Sequence, residues 1–537
     1  MDQLPVENKP LLQRPLGYLI ILLAAMLVAA IIIFLRLNYK GTETQSSGYV
    51  EGLPKDQVTI SFAGVFGRYP LVDIEETSIQ ANLNVFEGLT IYRNGRLQPG
   101  LAESWTNPDN LTWRFKIRSG VKFHSGDELK ASDVKYTIEA AKSSKSPTKW
   151  MSRDGASKIS SVTVIDDRTV ELKTSTPQAT LLEWLAYVAI LSEAQIKKDG
   201  LANSVGTGPY KIVTFTEKEV VLDANLDYWG GAPKVKKLVL QANSDTAARV
   251  ADVESGKVDL TGSTSEVRQT YVEKGFQVKK TRGGSITFLI PDLKSEKTKY
   301  INTAKNPLKD QKVRKAIQLS LDPNVILKEA GQVGEPVSQF ATEELSGFNR
   351  NLAAPTQNIN QAKDLLKQAG FEKGFTVTID TVKSAAKSVE AIQKQLSSVG
   401  ITVKVNAFTD NVGEVVGKVA GGDFSLAFLG YGPDTFDSLD LINGFFHSKG
   451  DLNLNGYSND VLDKLLDEAE ATLDVQKRAE ITARAHQEYM EDLPIILLST
   501  RLRFFLAQDD IAFTLAPGGR ILGFDISGRE KASNTNQ

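Results

Sequence analysis

One loop in the second half of the chain combines an aromatic side chain with two carboxylates. Residues 423–429 (DFSLAFL) form a mostly apolar run that predicts a strand, and residues 430–437 (GYGPDTFD) follow it. Gly and Pro favour a turn here, which carries Tyr431, Asp434 and Asp437. Such a carboxylate can bind the ammonium of a ligand, or it can cap the turn while Tyr431 packs. For Asp437 we expect the structural role, as the cap of residues 438–445.

The histidines are the candidates for acid–base catalysis. Residues 124–127 (HSGD) contain suitable residue types, but the only other histidines are His447 and His486. No nucleophile elbow or HExxH motif is present, and the glycine pairs at 283–284 and 421–422 lack the Lys-Ser/Thr of a phosphate loop. His486 shares a helical face with apolar residues, so we expect it to pack. We therefore expect no catalytic site and no cofactor.

Composition excludes several further classes of function. The 537 residues contain no Cys and carry a net charge of -2. The absence of Cys removes thiolate nucleophiles, thiolate metal sites and disulfides, and the charge gives no nucleic-acid surface. Three scattered histidines do not predict a protein-built metal site, although a metal could arrive already chelated.

The sequence around the loop predicts an α/β lobe. Apolar residues at helical spacing predict one short helix ending at Gly370 and another at residues 389–399. Residues 375–379 read as a strand, and residues 401–407 alternate apolar and polar side chains, which predicts a second strand. Strand, helix and strand form a βαβ unit. Sheets built from such units place ligands beyond the carboxyl ends of their strands, where residues 430–437 lie.

Near the amino terminus, residues 16–35 form an apolar run without a charged, Asn, Gln or Pro residue. At about 1.5 Å rise per residue such a run spans roughly 30 Å, which is the hydrocarbon thickness of a bilayer. A cleaved signal peptide is the alternative, but the polar flank of a cleavage site is absent, so we predict an uncleaved anchor at 16–37. Lys and Arg are balanced around it, and the much longer carboxyl-terminal part favours a cytoplasmic stretch at 1–15 with the large part outside.

Motifs spread over most of the chain carry a resemblance to a known family. They include residues 97–105 (LQPGLAESW), 111–126 (LTWRFKIRSGVKFHSG), 206–210 (GTGPY) and 228–233 (YWGGAP). In this order and spacing the chain resembles the family 5 extracellular solute-binding proteins, the oligopeptide, dipeptide and nickel receptors of ABC importers. One departure is GRYP at residues 67–70, where the family usually has Leu-Asp-Pro.

Residues 38–55 are rich in Gly, Ser, Thr and charge without an apolar period, which predicts a flexible linker after the transmembrane helix. The resemblance implies that an α/β, two-lobed periplasmic-binding-protein-like clamp of type II follows, with an extra subdomain in the first lobe. It places lobe I at 56–285 with the inserted subdomain at about 90–204, lobe II at 286–490, a return to lobe I at 491–528, and a tail at 529–537. Strands at 282–289 and 493–498 would form the hinge.

The resemblance also implies the site and the function. In peptide-binding members this loop carries an aromatic and an Asp that pairs with the peptide ammonium; Tyr431 and Asp434 take these positions, with Gly432 between them. The first-lobe wall is expected around residues 84–88 and 64–69. The implied function is a monomeric receptor that passes peptides to an ABC permease and binds no nucleic acid. A tethered hydrolase, or a receptor for cello-oligosaccharide, chelated nickel or haem, remains the alternative.

Overall fold

The computed structural model describes residues 49–67, 76–93, 96–143, 155–200, 203, 205–263, 268–433 and 435–532. Residues 51–529 form one compact unit. The predicted anchor at 16–37, the stretch 1–15 and most of the linker at 38–55 lie outside the described residues. Within the described ranges, no helix is both long and apolar enough to cross a membrane.

The described residues form twenty strands. In chain order they are β1 (Tyr49–Leu53), β2 (Lys55–Phe62), β3 (Thr90–Arg93), β4 (Arg96–Pro99), β5 (Ala102–Asp109), β6 (Thr112–Ile117), β7 (Ile159–Asp166), β8 (Thr169–Thr174), β9 (Tyr210–Phe215), β10 (Glu219–Ala224), β11 (Val235–Ala242), β12 (Leu260–Ser263), β13 (Gln277–Pro291), β14 (Gly334–Pro336), β15 (Phe375–Val382), β16 (Ile401–Thr409), β17 (Leu426–Tyr431), β18 (Ile496–Ala507), β19 (Ile511–Phe513) and β20 (Ile526–Lys531).

The helices cover the sheets. In chain order they are α1 (Glu76–Val85), α2 (Ala131–Ser143), α3 (Leu181–Trp184), α4 (Glu193–Asp199), α5 (Thr246–Glu254), α6 (Arg268–Glu273), α7 (Gln311–Ser320), α8 (Pro323–Glu329), α9 (Ile359–Gln368), α10 (Ala386–Ser397), α11 (Val412–Ala420), α12 (Ser438–Phe446), α13 (Asp460–Glu470) and α14 (Val475–Asp492).

The first lobe is built on β2. Val58 and Ile60 of this strand are buried in the lobe core, as the apolar pattern predicts. β2 pairs in parallel with β11 and β12, and β10 and β9 extend the sheet beyond β11 in antiparallel pairing. Residues 58–62 alternate apolar and polar side chains, and the strand that contains them begins at Lys55.

The inserted part of the first lobe is an antiparallel sheet in the order β5-β6-β8-β7. Trp113, Phe115 and Ile117 of β6 are buried, while Arg114 and Lys116 between them are exposed. The same core includes Val134 and Ile138 of α2. Alternation in the sequence thus identifies the buried face of the strand correctly.

The second lobe contains the predicted βαβ unit. β15 and β16 pair in parallel, with Phe375 opposite Ile401, and α10 connects them. β17 pairs in parallel with β15, so its carboxyl end lies at the same edge of the sheet. Buried residues of β15, α10 and β16 belong to one core. Strand, helix and strand are all confirmed at the predicted positions.

Two long antiparallel strands join the lobes. β13 and β18 pair from Gln277 opposite Ala507 to Leu289 opposite Ile496. At one end β13 pairs with β17 of the second lobe, and at the other β18 pairs with β12 of the first. The predicted partner strand at 493–498 begins later, at Ile496, because Leu493 takes a left-handed conformation (φ 51°) that ends α14.

Candidate ligand-binding site

The ligand loop, residues 430–437, begins where β17 ends. Tyr431 is the last residue of this strand and lies opposite Ile286 of β13, next to the strands that join the lobes. Its half-buried ring packs edge-on against Phe445, with the ring centroids 5.2 Å apart. Gly432 is half-buried as well. Asp434 lies outside the described residues, so its predicted pairing with an ammonium stays a prediction.

The far end of the ligand loop contacts the first lobe. The backbone N–H of Phe436 donates to Glu183 Oε2 at 2.9 Å, and its ring packs on Tyr92 with centroids 5.1 Å apart. Just beyond the loop, Asp440 Oδ1 accepts a hydrogen bond from Thr180 Oγ1 at 2.8 Å. The loop and the start of α12 therefore bridge the two lobes.

Asp437 has the structural role that the sequence predicts. Its side chain accepts a hydrogen bond from the Leu439 N–H at 3.0 Å and so caps α12. Arg478 Nε donates to the other carboxylate oxygen at 2.8 Å, and both side chains are buried. Burial raises the pKa of Asp437, and Arg478 opposes that shift. This pair fixes the end of the ligand loop to α14.

Two further carboxyl groups lie at the contact between the lobes. Burial raises the pKa of Glu183 to about 8, with Asp437 and Asp440 adding to the effect. Burial also raises the pKa of Glu470 to about 7, and Glu470 Oε1 accepts a hydrogen bond from Asn443 Nδ2 at 2.9 Å. At neutral pH these carboxyl groups therefore carry protons much more often than exposed ones do.

A small recess lies in the first lobe beside this contact. α1, β3 and residues near the carboxyl terminus form its walls, and its polar lining consists of Glu87, Tyr92, Arg93, Tyr187 and Arg520. Arg520 Nη1 donates to the Tyr187 hydroxyl at 2.9 Å. Aromatic rings with a few polar groups are typical of small-ligand sites.

Glu87 fixes the inner wall of the recess. Its buried carboxylate accepts hydrogen bonds from the Tyr228 hydroxyl at 2.5 Å, Thr207 Oγ1 at 2.9 Å and Trp229 Nε1 at 3.0 Å. Burial raises the pKa of Glu87, and these donors oppose the shift. The motifs GTGPY and YWGGAP therefore supply the donors that hold this carboxylate in place.

Of the two regions expected in the first-lobe wall, one lines the recess and the other is only partly described. Phe86 and Glu87, within residues 84–88, line the recess. In the other region Phe66 is buried in the lobe core and the Gly67 N–H donates to Ser78 Oγ at 2.7 Å, while residues 68–70 lie outside the described ranges. Sequence reasoning missed Tyr92, Glu183 and Arg520. Glu183 did have a signal, because it is the one charge in the apolar run 181–191.

The histidines have structural partners. His124 Nε2 lies 2.9 Å from the Gly208 carbonyl oxygen, and burial lowers its pKa to about 4. His486 is fully buried between Ser438 and Tyr489, and burial lowers its pKa to about 3. Its predicted packing role is confirmed. Within the described ranges, no group of three or more His, Asp or Glu side chains could hold a metal ion.

Two α/β lobes, joined by paired long strands and bridged by a loop, define a clamp-type solute-binding protein. Residues 96–453 match the family described as bacterial extracellular solute-binding proteins, family 5 Middle. The chain belongs to this family, which is a family of substrate-binding receptors. The resemblance found in the sequence is therefore confirmed, and so is the two-lobed α/β fold.

Relatives of the chain include receptors with different named ligands. The dipeptide-binding protein of Escherichia coli (strain K12) is 25% identical over 441 residues, which is 75% of this chain and 80% of that protein. Heme-binding protein A of Haemophilus influenzae is 24% identical over 504 residues, covering 86% of this chain and 90% of that protein. The structure of DppA from Helicobacter pylori in complex with the peptide STSA has a TM-score of 0.73 at 22% identity, covering 89% of this chain and 98% of that one.

Proposed function

We propose that this protein is the extracytoplasmic receptor of an ABC importer, which captures short peptides between its lobes and delivers them to a permease. It acts as a monomer tethered by one membrane helix, and it catalyses no reaction. The observation that carries the proposal is the ligand loop, which lies between the lobes in a chain of family 5. A dipeptide-binding relative and a peptide-bound structure of the same fold support peptide as the ligand.

In the proposed site, Asp434 binds the peptide ammonium, Tyr431 covers the first residue and Gly432 lets the peptide backbone approach closely. An ammonium enclosed between lobes loses its hydration, and a carboxylate compensates for that loss. The proposed domains are lobe I at 56–285 with its insert at about 90–204, lobe II at 286–490, the return at 491–528 and the tail at 529–537. The first-lobe wall is the recess beside Glu87 and Tyr92.

Native mass spectrometry of the full chain in detergent tests the proposed function. The protein is incubated with an equimolar mixture of di-, tri- and tetrapeptides, and the masses of complex and free peptides are followed with time. We expect one intact peptide on one protein chain. Progressive cleavage of the peptides would instead identify a tethered hydrolase. A co-purifying haem, chelated nickel or cello-oligosaccharide, with no peptide retained, would change the substrate class.

Asp434→Asn tests the binding site. Replacing the carboxylate with a neutral amide should weaken peptide affinity tenfold or more, on the order of 1.4 kcal/mol, because the ammonium loses its charged partner. Isothermal titration with a peptide that binds the parent gives the dissociation constants. Asp167→Asn is the control, since this carboxylate is 81% exposed in the inserted subdomain. Equal affinity for parent and Asp434→Asn would remove Asp434 from the site.

The proposed anchor at 16–37 is tested by fractionation. The full chain expressed in a bacterial host should stay with the membrane through an alkaline carbonate wash, because roughly twenty apolar residues are buried in the bilayer. Its mass, measured by mass spectrometry, should include the amino-terminal residues. Recovery of a shortened chain in the soluble extracytoplasmic fraction would show a cleaved signal peptide instead.

A further inference from the structure

One carboxyl group of the first lobe takes part in the contact between the lobes. Glu183 lies on α3, and its Oε2 accepts the hydrogen bond from Phe436 N–H of the ligand loop at 2.9 Å. The two residues are 253 positions apart in the chain, and they belong to different lobes. This hydrogen bond therefore forms only when the lobes are together. Thr180, which precedes α3, donates to Asp440 at 2.8 Å across the same boundary.

The surroundings of this carboxyl group are mostly acidic. Asp437 and Asp440 face it from α12, and each of these raises its pKa. Arg478 faces it from α14 and has the opposite effect, but its Nε is bonded to Asp437. On the first-lobe side is the buried Tyr92 hydroxyl of β3, whose own pKa is raised by burial and by nearby groups that include Glu183. A charged Glu183 would thus face two carboxylates with reduced access to water, an effect that the Phe436 N–H opposes only in part.

A second carboxyl group lies near this contact. Glu470 of α13 is buried, and the charges around it are Lys158 of the inserted subdomain and Asp440. Lys158 is itself engaged, since its Nζ donates to Gln178 Oε1 at 2.9 Å. This arrangement of the lobes therefore places carboxyl groups of α3, α12 and α13 near one another, since Asp440 affects the pKa of both Glu183 and Glu470.

We propose that Glu183 is a positioning residue of the receptor, whose protonated carboxyl group holds the ligand loop in place when the lobes close and releases it when the proton leaves. This inference rests on the proposed function, because it assigns to the same site a control by pH. A neutral carboxyl still accepts the Phe436 N–H through its carbonyl oxygen. It also avoids the repulsion that a carboxylate would experience beside Asp437 and Asp440.

The sign of the pH effect follows from the two states. With the lobes together the pKa of Glu183 is about 8, and with the lobes apart the solvated side chain returns towards its ordinary value of 4.5. Closure therefore takes up one proton between these values. The ratio of closed to open protein should fall as the pH rises, by up to about tenfold per pH unit, which is the limit for one proton. Acid favours retention of the ligand, and higher pH favours its release.

Single-molecule FRET measures closure directly and needs no ligand. The chain contains no Cys, so Glu139→Cys in the inserted subdomain and Val461→Cys in α13 label both lobes selectively. Both positions are exposed, at 59% and 55%. The closed-to-open ratio of the full chain in detergent is measured from pH 5 to pH 8.5. Minor populations are counted molecule by molecule, so a small closed fraction is still measured.

Three variants distinguish the proposed role from a merely structural one. Glu183→Gln keeps an acceptor for Phe436 N–H without a titratable group, so its closed-to-open ratio should vary with pH clearly less than the parent's, with only the contribution of Glu470 left. Thr180→Val removes the hydrogen bond from a hydroxyl that does not titrate to Asp440. Its closed-to-open ratio should therefore fall several-fold at every pH, while the change of that ratio with pH stays the same as in the parent. Glu193→Gln is the matched control, since that carboxylate pairs with Lys197 on its own helix and should behave as the parent.

The inference is overturned if the closed-to-open ratio of the parent does not change with pH. It is also overturned if the ratio of Glu183→Gln changes with pH as steeply as that of the parent. A single FRET population over the whole pH range overturns it as well. The proposed function is decided separately by peptide retention in native mass spectrometry. If the chain closes at acid pH but retains no peptide, the inferred role of Glu183 stands and the proposed function as a peptide receptor is wrong.

Discussion

At the scale of single residues, two buried tyrosines differ in what their hydroxyls contact. The hydroxyl of Tyr489 accepts a hydrogen bond from Phe340 N–H at 2.7 Å and lies 2.8 Å from His486 Nδ1. The hydroxyl of Tyr92 is buried without a hydrogen-bond partner in the part of the chain that the structure describes. A buried hydroxyl without a partner lowers the stability of the fold, because it has lost its hydrogen bonds to water. A paired hydroxyl such as that of Tyr489 also satisfies the buried polar groups next to it.

Tyr→Phe at these two positions should have opposite effects on the free energy of unfolding. Tyr489→Phe should cost about 1–3 kcal/mol, because Phe340 N–H and His486 lose their partner. Tyr92→Phe should leave the stability unchanged or raise it by up to about 1 kcal/mol. Urea unfolding followed by circular dichroism measures both. A loss at Tyr92 as large as that at Tyr489 would show that its hydroxyl is paired.

Local sequence predicted some of these residues, but not the contacts between distant ones. The cap at Asp437 and the packing of His486 were predictable, because capping and helical spacing involve neighbouring residues. Glu183 and Tyr92 acquire their roles from Phe436, hundreds of positions away, which a single sequence does not reveal. The assignments of Asp434, Tyr431 and Gly432 as ligand-binding residues stay predictions.

At the scale of elements, one glycine controls how the βαβ unit of the second lobe packs. Gly374 precedes β15 and has a positive φ of 71°. A Cβ atom there would lie 1.8 Å from the carbonyl oxygen of Gly400, the residue before β16. Gly331 has a similar φ of 66°, but no atom lies within 4 Å of its Cβ position. Comparing substitutions at Gly374 and Gly331 therefore distinguishes the cost of the left-handed backbone from the cost of the steric clash.

Gly374→Ala should destabilise the protein more than Gly331→Ala does. In both variants the left-handed backbone of the new alanine lowers the free energy of unfolding by roughly 1–2 kcal/mol. At Gly374 the clash with Gly400 adds about 1–3 kcal/mol, because two strand starts must separate. Thermal unfolding gives the comparison. Equal losses for the two variants would mean that the strands move apart without cost.

The elements themselves were largely predictable from periodicity. β6, β15, α10 and β16 lie where alternating or helical spacing placed them. The prediction of a strand at 493–498 was wrong about where the strand begins. An apolar sequence does not reveal that Leu493 ends a helix in a left-handed conformation. Tertiary packing decides such boundaries.

At the scale of the whole molecule, buried histidines and buried carboxyls oppose each other in the pH dependence of stability. The lowered pKa values of His124 and His486 make the unfolded chain bind more protons below pH 6.5, so stability increases with pH there. The raised pKa values of Glu183 and Glu470 make the folded chain bind more protons, so stability falls as pH rises towards 7 and 8.

The free energy of unfolding should therefore change little between about pH 5 and pH 6.5 and then fall by about 1–2 kcal/mol by pH 8, allowing for the solvent that reaches Glu183. Guanidinium unfolding at closely spaced pH values measures this profile. Glu470→Gln should make the fall above pH 6.5 smaller. An increase in stability from pH 6.5 to pH 8 would contradict the assignment of these carboxyl groups.

The two-lobed architecture came from the resemblance, and it is confirmed. Composition and periodicity alone indicated one α/β lobe, because they do not show which strands pair across the chain. The continuous sheet through β13 and β18 depends on pairings between residues more than two hundred positions apart, such as Gln277 with Ala507. These pairings are a property of the fold and not of any local segment.

The pairing of β12 with β18 has a consequence for the order of assembly. β12 lies at residues 260–263, yet its neighbour β18 follows more than two hundred residues later, and Phe513 and Ile526 also pack in the core of the first lobe. During synthesis the first lobe therefore stays incomplete until β18, β19 and β20 have been made. A truncation that removes the chain from residue 496 onwards should therefore unfold the first lobe, because β12 loses its neighbour and the first core loses Phe513 and Ile526.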